Sequence, residues 1–408
     1  MSRVPKKVVE SEFIIKLMHS LHRYGTPSHL LETGMTELTR LLGIDGRFFS
    51  LPTGVFASLE KPGDPASRHV EIIRVEQTEL DLGKMSDVAQ VGNAVLQRAM
   101  TIDEGSQRLD EILAAPPRYG ALVTLLAFAV TSGVAGRFFG AGLREVLLSL
   151  VTGLAVGLLS LSIPRAPAIA RIFEVLSGIL VSFIAVVGAS MIGGVSIPIV
   201  TLAGLIVLVP GLTLTIAISE IAQRSLVSGT SRLLGAVVVF LMLGFGVAGG
   251  GQLGALIVGH VADRAPVALP LWTEALAVLI ATVTLTVLMR APIRDLGAIM
   301  LVSVCTYVTV RVVSPHAGPE LGVCCGAIVA GALSNLHARH WNRPAGLTRL
   351  PALMLLVPGG LGFTGIASLL KEDIIHGMTT AFSVALISVS LVVGLIVANA
   401  VVAPKRAF

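Results

Sequence analysis

The chain has 408 residues, 54% of them hydrophobic and 13% charged, with a mean hydropathy of +0.85. Apolar content at that level excludes an ordinary soluble domain and fits a protein that crosses a bilayer many times. The formal charge of +5 does not point to nucleic acid, because the excess Lys and Arg fall in short loops between apolar runs, where membrane topology accounts for them.

Charge is distributed unevenly. Residues 1–118 hold 14 Lys/Arg and 16 Asp/Glu, more than half of all charges in under a third of the chain. Within them, residues 10–22 and 28–43 carry apolar side chains three or four apart and predict two amphipathic helices, with Tyr24-Gly25-Thr26-Pro27 as the turn. Residues 47–59 and 69–76 alternate and predict a hairpin around Lys61-Pro62-Gly63-Asp64-Pro65. Short helices near 85–99 and 103–114 complete an α+β domain that closes at Pro116-Pro117-Arg118. No signal peptide is expected, since Lys6, Lys7, Glu10, Glu12 and Lys16 break up the first twenty residues.

Ten apolar runs follow, near 120–139, 143–163, 172–193, 198–219, 233–250, 270–289, 295–313, 319–336, 350–370 and 378–401. Each approaches the ~20 residues that a helix needs to span hydrocarbon. The Gly-rich stretch 244–259 either extends the fifth run or forms a short segment of its own. Cys305, Cys324 and Cys325 lie inside runs without metal spacing, and the pairs His19/His22 and His337/His340 lack a third ligand, so no metal is expected. The sequence has no phosphate-binding Gly-Lys-Ser/Thr loop, so ATP-driven transport has no support, and no Ser nucleophile sits in a Gly-x-Ser-x-Gly elbow.

Val-Leu-Val-Pro-Gly at 207–211 returns as Leu-Leu-Val-Pro-Gly at 355–359, an offset of 148 that also carries Gly178 onto Gly326 and Gly229 onto Gly377. Pro removes a backbone donor and Gly releases helical dihedrals, so both runs are expected to break, and broken helices at matching places in two halves point to a transporter's binding site. Five runs per half require the second copy to be inverted. The expected architecture is a polytopic α-helical membrane protein of ten spans in two inverted five-helix repeats, 119–262 and 263–408, behind a cytoplasmic α+β domain, 1–118. With both termini inside, eleven Lys/Arg face the cytoplasm, Lys405 and Arg406 among them, against five outside that include Lys371.

The site is expected where the breaks meet. Amides of a helix restarting near Pro210-Gly211 suit a carboxylate, and Thr213 and Thr215 suit a hydroxyl or a water. Pro358, Gly359 and Thr364 supply the second, less polar copy. The plain alternative is that Pro and Gly merely kink packed helices. Glu220, about 14 Å of helix rise beyond the first break, is the expected proton carrier, with Glu174 next; the plain alternative for Glu220 is a solvated side chain near Arg224. Trp272 reads as an interfacial anchor. No span centre holds an acid, which favours a zwitterionic or neutral polar solute.

Several stretches resemble the threonine/serine exporter family of bacterial inner membranes. They are Leu21-His22-Arg23-Tyr24-Gly25-Thr26-Pro27-Ser28-His29, Arg74-Val75-Glu76 with Asp81-Leu82-Gly83-Lys84, Pro116-Pro117-Arg118-Tyr119, Val209-Pro210-Gly211, Ile218-Ser219-Glu220, and Leu226-Val227-Ser228-Gly229-Thr230-Ser231-Arg232-Leu233. The resemblance implies ten spans, a cytoplasmic N-terminal domain and export of threonine and serine driven by the proton motive force; it carries over no ligand set. The expected partners are a small amino acid, protons and the lipid bilayer, with no cofactor, no metal and no nucleic acid; self-association into a homo-oligomer stays open. An alternative class is a membrane-anchored hydrolase acting through His22, His29 and Glu32, or a receptor whose soluble domain binds a partner.

Overall fold

The computed structural model describes residues 6–75, 80–357, 359–370 and 373–404. Lys371, Lys405 and Arg406, used above to weigh topology, and Pro358 of the second motif lie outside the described residues. Two helices open the chain, α1 (Lys6–Arg23) and α2 (Ser28–Leu41), joined by the expected turn with Gly25 at φ +100. An antiparallel sheet follows in the order β1 (Asp45–Leu51), β2 (Gly54–Lys61), β3 (Asp64–Arg74). The stretch 47–59, expected as one strand, is two: Pro52 has no ladder donor, and the chain reverses at Pro52-Thr53. The second reversal, at Pro62-Gly63, is the expected one, and Gly63 takes φ +80 there. Next come α3 (Leu82–Leu96), capped by the Asp81 carboxylate on Lys84 N–H, and α4 (Ile102–Ala114), started by a Thr101/Glu104 capping box.

The rest is helical. The first series is α5 (Ala121–Phe138), α6 (Leu143–Ser160), the single turn α7 (Pro167–Ala170), α8 (Phe173–Ile192), α9 (Ile197–Leu205), α10 (Gly211–Ala222) and α11 (Leu226–Val258). The second is α12 (Trp272–Leu288), α13 (Leu296–Ala317), α14 (Pro319–Trp341), α15 (Gly346–Met354), α16 (Gly359–Leu370) and α17 (Ile374–Val401). Among the described residues, eight stretches are long and apolar enough to cross a membrane, one of them α15 and α16 together; α10 and α12 are apolar but shorter. The run expected at 198–219 is not one helix, because α9 stops at Leu205 and α10 restarts at Gly211. The Gly-rich stretch 244–259 belongs almost wholly to α11.

The offset of 148 extends to the elements. It superposes the bounds of α10 on those of α16, starts α11 with α17, and carries α9 onto α15 and α5 onto α12 within three residues. Packing repeats as well: α8 lies along α11 as α14 lies along α17, and α10 on α11 as α16 on α17. Close backbone approach makes both long contacts. A Cβ on Gly246 of α11 would strike the Val175 carbonyl, and one on Gly394 of α17, 148 residues on, would strike that of Cys324. Small residues that let helix backbones meet are the usual cement where lipid provides no hydrophobic drive between helices.

The N-terminal elements do not stand apart from the bundle. Phe13, Leu17, Leu31, Met35 and Leu82 share one buried cluster with Met289, Ala291, Ile299, Leu347 and Leu350. Leu82 N–H donates to Met289 O at 2.9 Å, and the Tyr119 hydroxyl to Ala291 O at 2.6 Å.

Gly246→Ala should lower the thermal midpoint of the detergent-solubilised chain by an amount corresponding to about 1–3 kcal/mol, the range for overpacking a tight contact. Gly235→Ala, on the same helix with open space around it, should not. Equal midpoints would mean that α8 and α11 are not in register at Gly246.

Candidate functional site

The first break is a tight reversal. Pro210 takes φ −79 and ψ 42, and Gly211 N–H donates back to Val209 O at 2.8 Å, an inverse γ-turn. From it α10 sets out, and the opening turn of any helix leaves N–H groups without intrahelical partners. The second helix, α16, starts in the same place: a Cβ on Gly211 would lie 3.1 Å from Gly359 Cα, and one on Gly359 would lie 3.5 Å from Gly211 Cα. The two breaks therefore meet. Each glycine also receives the other half's valine, Val357 against Gly211 and Val209 against Gly359. Phe139 packs onto Gly360 and Phe240 onto Gly362, so aromatic walls flank the opening of α16.

The hydroxyls around the breaks are mostly engaged with their own helices. Thr215 is buried and donates to Gly211 O at 3.2 Å; Thr364 is half-buried and donates to Leu361 O at 2.9 Å. Thr213 is half-buried in the opening turn of α10. Pro210, Gly211, Thr213, Thr215, Gly359 and Thr364 thus gather on two facing helix starts.

Glu220 closes the far end of α10, and its setting corrects the plain alternative. It is fully buried rather than solvated, and its ion-pair partner is Arg232 of α11, Nε to Oε2 at 3.0 Å, not Arg224. Ser228 Oγ donates to the same oxygen at 2.8 Å. The other oxygen accepts Ser28 N–H, from the first residue of α2, at 3.1 Å, and the hydroxyls of Ser28 and Ser228 lie 2.8 Å apart. α2 needs this contact: its N-cap is Pro27, which has no side-chain acceptor, so a carboxylate from another element caps it instead. Glu220 therefore ties three helices together. Arg232, Ser228 and Ser28 were not picked out as site residues, although each lies in a stretch that carries the family resemblance; a Pro-capped helix start lacking its own acceptor was the available signal.

One histidine from each of α1 and α2, His22 and His29, lies within reach of this carboxylate's charge. Burial pushes His29 down to about 4, with Arg349 lowering it further and Glu220 opposing. His29 Nδ1 is buried without a partner. Ser50 Oγ lies 3.3 Å from His22 Nδ1, while Glu32 accepts the Ser50 N–H at 2.7 Å and His22 Nε2 lies 3.3 Å from Pro52 O. Ser50 and His22 are buried, and Glu32 orients the serine's backbone, not the imidazole. Glu174 opens α8, half-buried, and is not among the groups contacting Glu220. Glu274, at the start of α12 beside the exposed Trp272, faces Arg311 at 3.3 Å and Arg137 at 3.9 Å and takes the Tyr307 hydroxyl. Among the described residues, no three His, Cys, Asp or Glu side chains form a metal site.

Several apolar spans, an internally repeated bundle and two helix breaks in contact define a polytopic helical membrane protein. Two family models match this chain, one described as "Putative threonine/serine exporter" over residues 12–254 and one as "Threonine/Serine exporter, ThrE" over residues 274–401. The chain belongs to the threonine/serine exporter family. Its curated relatives include pheromone-regulated membrane protein 10 of Saccharomyces cerevisiae (30% identical, 86% of this chain, 46% of the relative), of Candida albicans (29%, 90% and 34%) and of Kluyveromyces lactis (26%, 96% and 43%). The chain spans less than half the length of each of these three. All are yeast proteins, which lends no support to a bacterial inner membrane as the location. No solved structure matches the chain.

His29 makes the junction acid-sensitive. Its proton affinity falls on folding, so the stability it contributes is complete above its ordinary value of 6.5 and is lost as pH drops through about 4. His29→Asn should remove that part of the pH dependence, on the order of 3 kcal/mol across the window. Thermal midpoints of the two proteins from pH 7 to pH 4 measure it; parallel curves would mean that His29 is not buried at the junction.

Proposed function

We propose that this chain is a secondary exporter of small amino acids, threonine and serine first, driven by the proton motive force. One observation carries the reading: the starts of α10 and α16, equivalent in the two halves, face each other across Gly211 and Gly359. Helix starts present partial positive charge, and two of them together suit the carboxylate of a zwitterion. In this reading Pro210, Gly211 and Gly359 give open backbone, with Pro358 the sequence counterpart of Pro210, Thr213 and Thr215 address the substrate hydroxyl, and Thr364 lines the opposite wall. The halves are related by an inverted pseudo-two-fold axis near the midplane. Ten spans result when α9–α10 and α15–α16 each count as one broken span and the shorter α12 crosses too. Both termini then face the cytoplasm, residues 1–118 form the soluble domain, and 119–262 and 263–408 are the repeats.

Protons enter through Glu220, with Glu174 as the second candidate. Ionised, Glu220 holds Arg232 and caps α2; protonated, it loses the ion pair and loosens α10 from the N-terminal domain. Coupling through such a residue changes which state of α10 is favoured, as a secondary transporter requires. The hydrolase alternative keeps one observation, the approach of Ser50 to His22, but the serine is buried and a backbone carbonyl, Pro52 O, holds the imidazole where a triad would place a carboxylate.

Counterflow in proteoliposomes tests the reading. Labelled threonine should exchange against unlabelled threonine or serine, and an imposed pH gradient should accelerate net flux. Glu220→Gln should abolish gradient-driven accumulation while leaving exchange partly intact, and Thr213→Val should weaken threonine more than alanine transport. Loss of both substrates alike assigns Thr213 to packing; full gradient-driven accumulation by Glu220→Gln moves the proton path elsewhere. Ser50→Ala should leave transport unchanged.

A further inference from the structure

Between the N-terminal elements and the bundle lies a cavity of about 530 Å³, well within the usual range for small-ligand sites. It is separate from the helix breaks and from Glu220. Its walls come from both sides of the junction: α3 and α4 give Asp87, Gln90 and Arg108, the link into α5 gives Arg118, the turn before α13 gives Arg294, and the residue after α14 is Asn342. The floor is apolar, with Val91 and Ile112.

Charge is what distinguishes it. Three arginines line the cavity with one carboxylate, Asp87, which Arg118 and Arg294 share at 3.1 and 3.9 Å. Two guanidinium groups offer more N–H donors than a single carboxylate accepts. Outside the cavity wall Arg108 meets Glu111 and Arg294 meets Asp295, but Asp295 is also 4.0 Å from Arg343, so positive charge stays in excess at this wall. Arg118 lies over Gly83: a Cβ there would come 2.8 Å from its Nε and 2.7 Å from Arg290 O, so the glycine leaves it room. The arginine side chains remain partly exposed, 38% for Arg118 and 55% for Arg294, which leaves them accessible to a ligand.

We infer that this cavity binds a phosphate-bearing anion, held by Arg118, Arg294 and Arg108 with its non-phosphate part against Val91 and Ile112. Planar guanidinium forks match phosphate oxygens, and a mixed polar and apolar lining suits a phosphorylated molecule better than a bare halide. Most of the lining comes from α3, α4 and the turn between them, but Arg294 and Asn342 of the bundle complete it together with Arg118 of the link into α5, so the ligand bridges the two parts, stabilises their docked arrangement and so regulates the bundle. The phosphate belongs either to a soluble compound or to the headgroup of an anionic lipid, since α5 and α13 both start beside the cavity.

The test uses the full-length chain in neutral detergent and reads thermal unfolding, with no transport involved. Inorganic pyrophosphate and, separately, short-chain phosphatidylglycerol are titrated at ionic strength matched with sodium chloride. At least one should raise the midpoint in a saturable way. Arg294→Gln should weaken that effect about tenfold, the loss of one charge-assisted pair. Arg108→Gln, at an exposed position that folding does not require, should weaken it too. A response to pyrophosphate assigns the soluble source; a response to phosphatidylglycerol alone assigns the headgroup. No saturable shift with either, or unchanged shifts in both variants, overturns the site.

Discussion

A helix interrupted inside hydrocarbon strands backbone donors and acceptors where no water reaches them, and the interruption lasts only if protein surrounds it. Here each break is surrounded by the other. Gly211 and Gly359 leave no room for a side chain between the starts of α10 and α16, and each receives the opposite half's valine. Much of the bundle follows from that meeting. α9 must stop short of it and α15 must do the same, α11 and α17 lie alongside the restarted helices, and the long glycine contacts bring α8 and α14 against α11 and α17.

Glu220 is the second constraint, of a different kind. A carboxylate with no exposed surface has to collect donors, and it collects them from α11 through Arg232 and Ser228 and from α2 through Ser28. Removing any one of them leaves buried charge less compensated, which is why such groups fix an arrangement even where they add little net stability. The N-terminal elements are thereby attached to the helix that begins at the break. A single segment of twelve residues, α10, has the candidate substrate site at one end and the docking carboxylate at the other.

Much of this was legible in the sequence. Periodicity located α1 to α4 and most apolar runs, and the repeated Val-Pro-Gly marked both restarts. The turn at Pro52-Thr53 was missed because the alternation of 47–59 continues through it, and only the donorless proline argued for a reversal. Burial of Glu220 was not legible: its partners are 8, 12 and 192 residues away, and the basic residue at the familiar one-turn spacing, Arg224, pointed to the wrong pair. Period and spacing report local geometry; an ion pair that crosses helices depends on how they dock.

At 33 residues, α11 is about 50 Å long, against about 30 Å of hydrocarbon. A rod of that length protrudes even when tilted. It is held near its start by Arg232 on Glu220, and further along Gly246 and Gly250 sit against the backbone of α8. Pinned at separated points, it has little freedom to slide along its axis and more to pivot about the glycine contacts, like a beam on a fulcrum. A small displacement of the N-terminal elements would then appear, reversed in direction, at the far end of α11.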